Sequence, residues 1–73
     1  MALSTHSARI TGPVRYVASS GRKLKIPLGP CLVEQGDGLW VDIVWGASGQ
    51  NCAALPLQAL ESAEEGGHLI LLD

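Results

Sequence analysis

No phenylalanine occurs in this chain of 73 residues, and its whole aromatic inventory is two tryptophans and one tyrosine. A core must therefore come from Leu, Val, Ile and Ala, with Trp40, Trp45 and Tyr16 as the only large rings. Long apolar runs are absent too. The longest are a few residues, far short of the ~20 that a membrane-crossing helix needs, so no membrane partner is expected. Cysteine is scarce: Cys31 and Cys52 stand singly, with no C-x-x-C and no histidine close by. They read as small buried thiols rather than a bridge or a zinc set. His6 and His68 are equally isolated, and no metal or cofactor is expected. Missing as well are G-x-S-x-G, H-E-x-x-H and a phosphate loop. The pair Gly36-x-Gly38 opens a strand pattern rather than a helix, which excludes a dinucleotide fingerprint. The stretch Met1–Ala8 has no basic region followed by an apolar core, so it reads as no signal peptide and a cytoplasmic protein is expected. Small size and richness in Ala, Gly and Leu suggest a bacterial source.

What is present centres on Gln35-Gly36-Asp37-Gly38-Leu39-Trp40-Val41-Asp42-Ile43-Val44-Trp45-Gly46. Leu39, Val41, Ile43 and Trp45 occupy one parity, and Asp42 marks the other as the wetter side. Alternation bounded by glycines predicts a half-buried strand with a tight turn before it. Trp40 then stands beside a carboxylate on the less buried face.

The remaining punctuation predicts an all-β domain. Residues 1–9 (Ser, Thr, His and Ala without a period) read as a flexible arm, and residues 10–73 as a single domain. Val14–Val17 is a first strand, and Ser19-Ser20-Gly21 a turn. Leu24, Ile26 and Leu28 alternate with Lys23, Lys25 and Pro27, as in an edge strand guarded by lysines and a proline. After the Gly29-Pro30 break, Cys31–Gln35, Leu39–Trp45 and Cys52–Leu55 form a three-strand meander with turns at 36–38 and 47–51. Pro56-Leu57-Gln58-Ala59-Leu60-Glu61 begins a short helix that Gly66-Gly67 ends. His68–Asp73 is a closing strand, apolar on both sides and so expected to be covered.

Charge is segregated along the chain. All five basic residues (Arg9, Arg15, Arg22, Lys23, Lys25) precede position 26, and all seven acids (Glu34, Asp37, Asp42, Glu61, Glu64, Glu65, Asp73) follow position 33. One reading is a bipolar surface. The other, preferred on sequence alone, is that the two halves lie side by side and opposite charges meet across strands.

About five short strands with a helical turn before the last resemble an SH3-like barrel. The segment Gly36–Glu61, with its Trp-containing strand and its Pro56-Leu57-Gln58-Ala59-Leu60-Glu61 turn, resembles the plasmid-borne type II dihydrofolate reductase family. That resemblance implies a small SH3-like barrel. It does not carry the activity over. Where that family has the Val-Gln-Ile-Tyr motif that holds cofactor and folate, this chain has Cys52-Ala53-Ala54-Leu55.

Three functions are weighed. The first is a non-catalytic interaction module that binds a protein or peptide through Trp40, Asp42, Val44 and Tyr16, where aromatics stack and acids pair with cations. Against it stands a purely structural use of both tryptophans in the core. The second is nucleic-acid binding through Arg15, Arg22, Lys23 and Lys25, with Tyr16 as a stacking platform. The third is an enzyme whose site is shared between subunits. A chain this short buries only about 60% of its unfolded surface, so a homo-oligomer that pairs through the exposed Trp-Val patch and the apolar final strand, Leu69 to Leu72, is a further expectation.

Overall fold

The computed structural model describes residues 4–18, 20–36 and 38–72. Its elements run β1 (Ser4–Ile10), β2 (Arg15–Val17), β3 (Lys23–Lys25), β4 (Gly29–Gln35), β5 (Trp40–Trp45), β6 (Asn51–Pro56), α1 (Leu57–Glu65) and β7 (Leu69–Leu71). The all-β class expected from the sequence holds. Five strands form one antiparallel sheet in the order β6-β5-β4-β1-β7, and β2 with β3 forms a separate two-stranded ladder. No closed barrel results, since β6 and β7 lie at opposite edges of an open sheet.

Chain-breaking residues divide the first hairpin into two ladders. β1 and β4 are the base of one long hairpin, from Ser4↔Gln35 to Ile10↔Gly29, and β2 and β3 are its tip, from Arg15↔Lys25 to Val17↔Lys23. Gly12-Pro13 interrupts one arm and Pro27 the other, and the register slips by one residue between base and tip. Proline offers no N–H to a ladder, so the hairpin bends there instead of running on. One bond spans the bend, from the Ile26 N–H to the Val14 carbonyl at 2.9 Å. The tip folds over the inner side of the sheet, where Tyr16 meets Trp45 edge-on with ring centroids 5.9 Å apart.

Residues 4–9, expected as part of a flexible arm, form most of β1, which lies between β4 and β7; residues 1–3 lie outside the described residues. The polar composition of this stretch hides its period. Ala8 and Ile10 point inward and are buried, Ser7 and Arg9 point outward, and ladders on both sides hold the strand in place. Tertiary pairing here overrides a weak strand propensity.

Inward-facing residues of the sheet build the core: Ala8, Ile10, Cys31, Val33, Val41, Ile43, Ala53, Leu55 and Leu69. Val14 and Ile26 cover it from the hairpin bend, and Leu60 and Ala63 from α1. Among the described residues the six largest fully buried side chains are all Ile, Leu or Val. Tyr16 and Trp45 pack at the margin, only partly buried.

The helix starts at Pro56, and the Leu57 N–H donates to the Leu39 carbonyl at 2.7 Å, which ties α1 to the approach of β5. Its end is a Schellman motif. The Gly67 N–H donates to the Glu64 carbonyl and the His68 N–H to the Ala63 carbonyl, with Gly67 at φ +75°. A latch follows: the Thr11 hydroxyl donates to the Gly67 carbonyl at 2.6 Å, and His68 Nδ1 lies 3.0 Å from the Pro13 carbonyl. That geometry makes Nδ1 the donor. The closing strand is covered less than expected. Only Leu69 is buried, while Ile70, Leu71 and Leu72 are exposed, because β7 is an edge with nothing over its outer side. Among the described residues no helix is long and apolar enough to cross a membrane.

Candidate functional site

Period-two geometry along β5 sends Val41 and Ile43 into the core and turns Trp40, Asp42 and Val44 outward. Three of the four binding candidates therefore share the outer face of the sheet. Trp40 is 60% exposed and stands opposite Pro56 of β6. The fourth, Tyr16, is elsewhere: it lies on the inner side against Trp45.

Register extends this face beyond β5. Asp42 is directly opposite Glu34 on one side and Ala54 on the other, and Val44 is opposite Leu32 and Cys52. Leu32 is in turn opposite Ser7, whose carbonyl accepts the Leu72 N–H at 2.8 Å. A row that is apolar except at Ser7 thus crosses the whole sheet from Cys52 through Val44 and Leu32 to Leu72. A hollow of about 360 Å³ lies along it, bordered by Leu32, Val44, Ala47 and Leu72. Glu34 and Asp42 flank the row on one side. On the other stands Arg9, between Pro30 and Ile70.

Glu34 and Asp42 are like charges with Cβ atoms about 4.5–5.5 Å apart, an arrangement that costs stability in a sheet. Their field also reaches Cys52. Its thiol is pushed above the ordinary range, first by partial burial and then by Asp42 and Glu34. Cys31 is raised by burial alone. Both sulfurs are free; Cys31 is buried as expected, whereas Cys52 is exposed because it shares the outward parity of Val44, and both favour the neutral thiol, a poor nucleophile. No group of three metal-ligating side chains converges among the described residues. The face offers apolar contact, an indole N–H, and two carboxylates able to accept from a cation.

The basic candidates cluster at the hairpin tip. Arg15 is opposite Lys25, Lys23 lies two residues along the same strand, and all three are exposed, with Arg22 in the adjoining turn. Tyr16, between them in sequence, has its ring turned the other way, toward Trp45. Among the described strand pairs no acid stands opposite a base. Charges that were expected to meet with their opposites meet like with like.

Glu34, Leu32 and Arg9 were not among the binding candidates read from the sequence, whereas Leu72 entered only as part of the closing strand. The alternation of Pro30, Leu32 and Glu34 against Cys31 and Val33 was the available signal for β4. The register that sets Glu34 against Asp42 depends on the loop at 36–39, of which Asp37 lies outside the described residues. Compared with protein-family models, curated proteins and solved structures, the chain finds no match in any of the three.

Proposed function

We propose that this chain is a small non-catalytic interaction module, SH3-like in its use of an aromatic and acidic face, that binds a protein or an extended peptide on the outer side of its sheet. The observation that carries this reading is the direct opposition of Glu34 and Asp42 next to an exposed Trp40. Repulsion between the two carboxylates is relieved when a partner brings a guanidinium or ammonium group, and the apolar row supplies contact area around it. Trp40, Asp42 and Val44 carry the binding, and Glu34 joins them.

The test is a titration with a short synthetic peptide of alternating arginine and proline, read by NMR. Shifts are expected at the Trp40 indole and at the amides of Cys52 and Ala54, and Trp40→Ala or Asp42→Asn should weaken them. An outer face that stays unperturbed counts against the proposal.

A second reading has its own observation, the Arg15–Lys25 opposition at the hairpin tip. There the partner is an anionic strand held by Arg15, Arg22, Lys23 and Lys25. It lacks a stacking ring, since Tyr16 faces inward. Oligothymidylate that shifts residues 15–25 and leaves the outer face unchanged would favour it.

A further inference from the structure

We infer that the partner of the outer face is a second copy of this chain, packed sheet against sheet about a two-fold axis that lies along the Cys52–Val44–Leu32–Ser7–Leu72 row. This rests on the outer face being the interaction surface.

The disposition of charge about that row points to a copy of the same chain. Arg9 stands two residues beyond Ser7 on one side of the row, and Glu34 two residues beyond Leu32 on the other, with Asp42 beside it. A two-fold axis along the row, in the plane between two facing sheets, exchanges its two sides. Arg9 of each copy then lies about one strand spacing (~4.8 Å) to the side of the partner copy's Glu34 and across the ~10 Å between the facing sheets, a separation that the arginine and glutamate side chains span together. The same operation brings Glu34 under the partner copy's Arg9. The surface is self-complementary in the sense an isologous interface requires, and each copy relieves the other's Glu34–Asp42 repulsion.

The apolar contacts fit the same arrangement. Leu32 at 41% and Leu72 at 58% exposed lie on the row, and Ile70 at 48% flanks Arg9. None of them is needed by the core. Facing sheets pack ~10 Å apart with mean strand directions within about 30°, which keeps the rows of the two copies aligned near the axis. A five-strand sheet about six residues deep presents roughly 24 by 20 Å. Two copies then bury on the order of 1,000 Å², at the lower limit of a specific interface. The dimer is therefore concentration-dependent.

The test is sedimentation over a wide concentration range, on the intact chain and on two charge variants, R9E and E34R. The wild type should double its mass as concentration rises, and added salt should shift that transition upward. Each variant alone places like charges together twice per dimer and should stay monomeric. Mixed in equal amounts, they should form a heterodimer, since both contacts then pair opposite charges. Leu32→Glu, at the centre of the row, should abolish the dimer and leave the circular-dichroism spectrum unchanged.

A wild type that stays monomeric at millimolar concentration overturns the inference, as does a dimer indifferent to Leu32→Glu and to salt. The salt dependence needs no substitution, so it stands even if a variant fails to fold. A monomer whose outer face still responds to the arginine–proline peptide overturns the second copy alone. A monomer without that response overturns the interaction reading as well.

Discussion

Along β5 the inward side chains Val41 and Ile43 are at most 1% exposed, whereas the outward Trp40 stands 60% open to solvent one residue from Val41. The contrast repeats on β4, where Val33 is buried and Leu32 and Glu34 are not. Both faces belong to the same strands and share one backbone. The inner face answers the needs of folding, with aliphatic side chains interlocked beneath the hairpin tip and α1. The outer face carries a tryptophan, two leucines, an isoleucine and a facing pair of carboxylates that folding alone does not require. Apolar side chains set around opposed like charges mark a surface suited to being covered.

Substitutions on the two faces should separate this contrast sharply. Ile43→Ala empties a site at the centre of the core and should cost about 2–5 kcal/mol. That is a large share of the stability of a small domain, and urea denaturation would show it directly. A loss no larger than that of a surface change would mean that the inner face is not the core. Gly67→Ala comes next. It forces a side chain into the left-handed conformation of the helix end, at a cost of about 1–2 kcal/mol, seen as a lower urea midpoint with an unchanged slope.

Glu34→Gln should move the other way. It removes one of two opposed carboxylates and should raise the monomer's stability by about 0.2–1 kcal/mol, measured at low concentration so that self-association does not contribute. A destabilised Glu34→Gln variant would mean that the pair is already neutralised within one chain. Trp40→Ala should change monomer stability by no more than about 0.5 kcal/mol, and a core-sized loss would return this ring to a structural role.

The smallest effects concern the thiols. Cys52 should react with iodoacetamide in the native protein, more slowly than an unperturbed thiol, and Asp42→Asn should speed it modestly. Cys31 should wait for unfolding. Both thiols are raised in the folded state. The stability they contribute is thus fully present below the ordinary thiol range and is lost as pH climbs through their raised values. An alkaline loss of stability is the expected signature.

Much of the inner face was legible in the sequence, because alternation along Leu39–Trp45 and punctuation by Gly and Pro are local signals. The helix end was legible for the same reason, since the Gly66-Gly67 pair provides the left-handed residue that its motif requires. What stayed hidden was non-local. The strand Ser4–Ile10 places only two side chains in the buried core and owes its existence to β4 and β7. Tyr16 parted from Trp40 because the hairpin bends at its prolines, and composition does not say in which direction. The Glu34–Asp42 opposition depends on hairpin register, which a loop rich in glycine leaves open. The barrel expected from the strand count does not close, because the edge strands β6 and β7 do not pair with each other, and a count of strands does not say which of them meet.

The latch between the ends of the domain bears on the order in which it assembles. Thr11 and Gly67 are joined across 56 residues, while β4, β5 and β6 pair with immediate neighbours in the chain. Loop-closure entropy favours the meander as the early structure and leaves the β1–β7 seam for last. Weakening that seam, for instance by Leu69→Ala, should therefore speed unfolding and leave the folding rate almost unchanged. The lifetime of the native state is then set where the two ends of the domain meet, while its speed of formation is set by the hairpins between them.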